Sequence, residues 1–330
     1  MATEGGTKAV VAALLANTGI AITKFVAFFL TGVSSMLAEA IHSVADAGNQ
    51  GLLLIGGKQS RREATPEHPF GFGRERYIYS FIVAIVLFTV GGLFALYEAY
   101  HKWHEIHDAH GSPEDSILNS RWWWVPLVVL GIAIVLETLS FRTAIIETNK
   151  VKGDSSYWSF IRRAKSPELP VILLEDLAAL LGLVFAFVAV TLSLITENLY
   201  YDVAGTALIG ILLVTVAVTL AIETKSLLLG EAADPRARDR IREALEKIDG
   251  IERVIHMKTL HLGPEELLVA AKVGVVRSDA AADVATAINE AEQAVRAVEP
   301  TAQVIYLEPD IYREDHVPDA RTEPPEPAGH

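Results

Sequence analysis

Ile41-His42-Ser43-Val44-Ala45-Asp46-Ala47-Gly48-Asn49-Gln50 sets a histidine and an aspartate one helical turn apart inside a stretch otherwise apolar enough to cross a bilayer. Ionisable groups at that depth are costly and face a polar cavity or an ion path rather than lipid. Residues four apart share a helix face, so His42 and Asp46 can ligate one ion together, the imidazole through nitrogen and the carboxylate through oxygen. Two ligands on one helix need partners from another, and the stretch therefore reads as part of a cation site inside a helical membrane domain.

The rest of the chain agrees with a membrane setting. With 330 residues, 51% of them hydrophobic, and a mean hydropathy of +0.32, it is too apolar for an ordinary soluble domain, yet it turns charged and periodic near the C-terminus. Cysteine is absent, which excludes disulfide staples, thiolate metal sites and cysteine nucleophiles together. Any metal binds here through nitrogen and oxygen. The opening Met-Ala-Thr-Glu-Gly-Gly-Thr-Lys has neither the basic start of a signal peptide nor the Arg-rich pattern of a transit peptide. Insertion is expected to rely on the first membrane helix, and a bacterial inner membrane is favoured over an organelle.

Six segments are long enough to span about 30 Å of hydrocarbon, which takes about 20 residues at helical rise. They lie near 8–31, 34–57, 78–101, 122–146, 169–193 and 199–222. The links at Thr31-Gly32-Val33 and around Thr196 to Asn198 are short enough for tight hairpins. Lys58, Arg61, Arg62, Arg74 and Arg76 lie between the second and third segments, and Lys150, Lys152, Arg162, Arg163 and Lys165 between the fourth and fifth. By the positive-inside rule these loops face the cytoplasm, as do both termini of a chain with an even number of spans.

After Lys225 the pattern changes. Residues 234–248 carry Ile241, Leu245 and Ile248 at helical spacing, and Asp249-Gly250 closes the helix. Strand-like runs at 254–262 and 267–276 flank a turn at Gly263-Pro264. A second helix at 281–298 and a strand at 303–307 complete a helix, strand, strand, helix, strand order, suited to a small α+β sandwich with its helices on one face of a sheet. The tail from Pro309 is acidic and proline-rich and is expected to be disordered, with the domain bound drawn so that residues 313–330 form a disordered acidic segment.

The six-helix layout, His42-Ser43-Val44-Ala45-Asp46, the loop His68-Pro69-Phe70-Gly71-Phe72-Gly73-Arg74 and the small C-terminal domain together resemble the cation diffusion facilitators. These are dimeric, proton-coupled exporters of divalent metals, commonly zinc. The helix-two motif and Leu174-Glu175-Asp176-Leu177-Ala178-Ala179 look most like the zinc transporter nine branch. The resemblance implies a membrane α-helical fold, with a six-helix transport domain over 1–225 followed by a cytoplasmic α+β ferredoxin-like dimerisation domain over 226–312. It also implies a homodimer that carries metal one way and protons the other.

Asp176, a carboxylate inside an apolar helix, is the natural third ligand beside His42 and Asp46. Zinc members of the family place a histidine or aspartate four positions before this aspartate, where this chain has Ile172. The fourth ligand is then Asn49, Glu137, Glu175 or water, and an oxygen-richer site suits Mn2+, Fe2+ or Co2+ somewhat better than a nitrogen-rich one. Asn17 and Lys24 read as interhelical hydrogen-bonding or snorkelling residues.

Other histidines carry weaker signals. His101, His104, His107 and His110 recur every three residues with Glu105 and Asp108 among them, either as a metal-attracting segment or as a solvated extension of the third helix. His68 lacks a histidine at Phe72, and His256 and His261 lack a clear third partner, the last strand offering Tyr306 and Glu308. The C-terminal domain is therefore expected to bind little or no metal.

The function expected is export of a divalent cation, zinc first with manganese, iron or cobalt as alternatives, by proton antiport across a lipid bilayer. A membrane-anchored metal sensor is the runner-up, and a buried ligand-dense site suits alternating access better than a channel. No nucleophile, phosphate loop or cofactor fingerprint suggests an enzyme, and a net charge of -13 does not suit nucleic acid.

Overall fold

The computed structural model describes residues 2–31, 34–108 and 123–313; within these, the side chains at 2–6, 27, 28, 30, 31, 34–39, 41 and 42 lie outside the description. His110 and the tail from residue 314 fall outside it as well. The chain divides into two compact units, one of residues 1–62 and 75–225 and one of residues 63–74 and 226–330.

The first unit is helical. Its elements are α1 (Ala2–Thr31), α2 (Ser34–Gln59), α3 (Glu75–Val86), a π-helical stretch (Leu87–Leu93), α4 (Phe94–Asp108), α5 (Val125–Val151), α6 (Tyr157–Arg163), α7 (Glu168–Thr196) and α8 (Tyr200–Leu229). Among the described residues five helical segments are long and apolar enough to cross a membrane: Thr7–Val26, Glu75–Asp108, Val125–Val151, Glu168–Thr196 and Tyr200–Leu229. The second expected span forms a helix of 26 residues, but His42, Asp46, Asn49, Gln50 and Lys58 leave α2 short of that apolarity. α1 packs on α2 and α5, α5 on α7, and α2 on α3. The outer faces stay apolar: Val128, Ile132, Val135 and Leu139, at helical spacing on α5, are all exposed. A face of that kind is unfavourable in water and fits lipid. Close packing of α4 on α8 relies on Gly210, where a Cβ would come within 3.0 Å of the Leu96 backbone nitrogen.

One buried ion pair ties helix ends together. Arg76, at the start of α3, lies 3.3 Å from Glu168 at the start of α7, and its Nε donates to Ser60 Oγ beyond the end of α2 at 3.0 Å.

The second unit holds α9 (Pro235–Glu246), β1 (Ile251–Gly263), β2 (Glu266–Val275), α10 (Ala281–Val298) and β3 (Ala302–Asp310), the helix, strand, strand, helix, strand order read from the sequence. Asp234 caps α9 by accepting from the Arg236 amide, and Gly250 follows it at φ 90°, a left-handed turn suited to glycine. β1 pairs antiparallel with β2 across the tight turn, while β3 returns parallel to β2 by way of α10. Leu267, Val269, Ala271 and Val273, every second residue of β2, are buried with Ile241 and Leu245 of α9 and Ala291 and Val295 of α10. Both helices thus cover one face of the sheet. Pro309, expected to begin the tail, instead continues β3 and pairs with Val273. β3 is an edge strand of the sheet, where a residue without an N–H is tolerated.

Residues 63–74 belong to this unit. Gly73 Cα approaches Gly263 so closely that a Cβ on Gly73 would stand 3.0 Å from Gly263 Cα, 3.0 Å from the Leu262 carbonyl oxygen and 2.8 Å from Glu266 Oε2. Two glycines meeting backbone to backbone dock the loop on the β1–β2 turn.

Candidate metal centre

α7 is buried without interruption from Glu168 to Asp176, so its two adjacent acids are both enclosed, 4% and 1% exposed. Consecutive residues lie about 100° apart around a helix, and the two carboxylates accordingly serve different neighbours. Glu175 turns to α2, where Asn49 Nδ2 donates to Oε1 at 2.9 Å and Gln50 Nε2 donates to Oε2 at 2.7 Å. Asp176 turns to α5, accepting from Ser140 Oγ at 2.7 Å. Glu137, one turn before Ser140 on α5, is also buried.

Asp46, half-buried on α2, lies near enough for its charge to act on Glu137, Glu175 and Asp176, and Glu137 also senses Asp176 and Glu175. Four carboxylates from three helices therefore share one region of the bundle. Lys24, on α1, donates to Ser43 Oγ at 2.9 Å within the buried interior, and its charge reaches Glu137. Asn17 is buried on α1 as well. Such a concentration of negative charge in an apolar interior calls for a cation or protons to offset it.

The site residues read from sequence stand as follows. Asp46, Asp176, Glu137, Glu175 and Asn49 come together in the helical unit. His42 lies in α2 one turn before Asp46, and its side chain is outside the description. Among the described residues no three histidine, aspartate or glutamate side chains are arranged to hold one ion between them. Gln50 and Ser140 were missed by sequence reasoning. Gln50 continues the four-residue ladder His42, Asp46, Gln50, and Ser140 follows Glu137 by three, so helical spacing was the available signal in both cases.

The outlying histidines are dispersed. α4 runs as a continuous helix to Asp108, carrying His101, His104 and His107; His101 Nδ1 lies 3.4 Å from Glu105 Oε1, and His107 stacks on Trp103. His68 packs edge-on against Phe72. In the C-terminal unit, Glu308 is engaged by Lys272 at 3.0 Å, Tyr306 is exposed, and His261 is buried in β1 while His256 is half-buried.

Known proteins resemble this chain in sequence. A family model described as the cation efflux transmembrane domain matches residues 10–229. The proton-coupled zinc antiporter SLC30A9, mitochondrial, of Mus musculus is 33% identical over 273 residues, 82% of this chain and 46% of the mouse protein. Metal tolerance protein C4 of Arabidopsis thaliana is 28% identical over 81% of this chain and 56% of its own length. The magnetosome protein MamM of Magnetospirillum gryphiswaldense is 23% identical over 76% of this chain and 72% of its own. The chain spans about half the length of the mouse and Arabidopsis relatives. With the family model spanning the helical unit that carries the buried acids, the chain belongs to the cation efflux, or cation diffusion facilitator, family of integral membrane transporters, not enzymes.

Proposed function

We propose that this chain exports a divalent cation, zinc first among Zn2+, Mn2+, Fe2+ and Co2+, by proton-coupled antiport through a site built from His42, Asp46 and Asp176. The observation that carries the reading is the gathering of Asp46, Glu137, Glu175 and Asp176 inside helices whose outer faces suit lipid. The relatives named as a zinc antiporter and a metal tolerance protein support the choice of cargo.

The chemistry follows from the side chains. Carboxylates and a neutral imidazole bind a metal only when deprotonated, so loading the cation releases protons and proton entry expels it. Imidazole is the one ligand whose unperturbed pKa, about 6.5, lies near neutrality, which fits His42 to carry a proton back. We assign α2 as the sixth span, its polar face shielded by α1 and α3, with both termini cytoplasmic and the protein in a bacterial inner membrane; the basic loops support that orientation. The C-terminal unit serves as a ferredoxin-like dimerisation domain of a homodimer, a role its helix, strand, strand, helix, strand order supports.

The test is metal flux in proteoliposomes with and without a proton gradient. Gradient-dependent uptake lost in both Asp46→Ala and Asp176→Ala, with the oligomeric state unchanged, is the expected result. Undiminished transport in either variant would sink the site.

A further inference from the structure

Glu175 is the acid whose hydrogen bonds the fold has already supplied. Both of its oxygens are taken, one by Asn49 and one by Gln50, and the two amides are 2% and 0% exposed. Each amide donates its NH2 to the Glu175 carboxyl and offers it no oxygen. The amide oxygens then point elsewhere. Asn49 Oδ1 and Gln50 Oε1 are both buried and have no hydrogen-bond partner among the described residues, whereas buried amide oxygens are ordinarily bonded. Asn49 and Gln50 follow Asp46 by three and four residues, the two spacings that share a helix face.

We infer that Gln50 and Asn49 present their amide oxygens to the transported cation, and that Glu175, gripped between their NH2 groups, is a positioning residue and not a ligand. This rests on the transport-site reading above and specifies it. Neutral carbonyl oxygens are hard donors that suit Mn2+, while imidazole suits Zn2+. The amide pair therefore sets how readily the site takes Mn2+ beside Zn2+. The same grip ties α2 to α7, the helices that carry Asp46 and Asp176.

The experiment measures Zn2+ and Mn2+ uptake by the full chain in proteoliposomes for the parent, Gln50→Met, Glu175→Gln and the double variant. Methionine matches glutamine in length and lacks the carbonyl. The ratio of apparent Mn2+ affinity to Zn2+ affinity is expected to fall by about tenfold or more in Gln50→Met, the scale on which supporting residues alter metal binding. An unchanged ratio, both metals weakening together, would assign Gln50 to structure alone and overturn the inference. Glu175→Gln should still transport and shift the ratio in the same direction, and the double variant should go no further than the stronger single, as coupled neighbours do. Glu175→Gln abolishing transport as Asp46→Ala does would make Glu175 a ligand and equally overturn it. Should Gln50→Met not fold, Asn49→Leu, which removes the other amide oxygen at matched size, is expected to lower the same ratio by about tenfold; an unchanged ratio would refute the donor role. Transport surviving in Asp46→Ala is a separate outcome, and it would overturn the site itself.

Discussion

Arg76→Met is expected to destabilise the helical unit more than removing both members of its ion pair. Arg76 Nε stands 3.3 Å from Glu168 Oε1, with side chains 6% and 11% exposed, and it also holds Ser60. Unit charges at that separation attract by about 5 kcal/mol at an effective dielectric of about 20, the upper end of the roughly 3–5 kcal/mol that breaking a buried pair from one side costs. The single variant leaves a carboxylate enclosed without its guanidinium. Arg76→Met with Glu168→Gln removes that stranded charge, and replacing both partners of a buried pair is far milder than removing one. The described tryptophans, Trp103, Trp123, Trp124 and Trp158, belong to the helical unit, so their fluorescence during denaturant unfolding in detergent reports that unit. The expected order is a loss of about 3–5 kcal/mol for the single variant and less than half of it for the double. A double variant as unstable as the single, or a single variant within about 1 kcal/mol of the parent, a surface-pair value, would refute the reasoning.

Two further outcomes test the C-terminal unit. Gly73→Ala forces a methyl against the backbone of Gly263 and Leu262, overpacking that costs about 1–3 kcal/mol; trypsin cleavage after Arg74 should speed up by about tenfold, since local opening governs the rate, and an unchanged rate would mean that the loop does not depend on this contact. Burial, aided by Glu265, raises the Glu266 carboxyl above its ordinary 4.5, so the folded unit holds that proton more tightly than the unfolded chain. The resulting stability is full below about pH 4.5 and lost as pH rises through the folded value. Glu266→Gln should therefore be the more stable protein near neutral pH and lose its advantage toward about pH 4, as scanning calorimetry of the full chain would record; parallel pH curves would remove Glu266 as the cause.

What the sequence disclosed and what it concealed follow from how local each signal is. His42 and Asp46 could be read as a candidate ligand pair because helical spacing is a property of neighbouring residues, and the limits of α10 followed from the same periodicity. Asp176 stood out because a carboxylate in an apolar helix is rare. Glu175 was ambiguous: its partners Asn49 and Gln50 lie more than a hundred positions away, and no spacing rule connects α2 to α7. The meeting of Gly73 with Gly263 is longer still in range. Pro309 misled because proline signals a break, and only the edge position of β3 shows why it is tolerated there.

The grouping of residues 63–74 with the C-terminal unit means that the chain passes from one unit to the other three times, after Arg62, after Arg74 and after Lys225. Cutting at Lys225 is therefore not a clean excision, since it leaves a twelve-residue strap, still joined to α2 and α3, with its docking turn taken away. A chimera that exchanges C-terminal units between relatives needs two cassettes, the strap and the unit together. Any strain in that unit has a covalent route to the helix carrying Asp46 through its far end, as well as through α8.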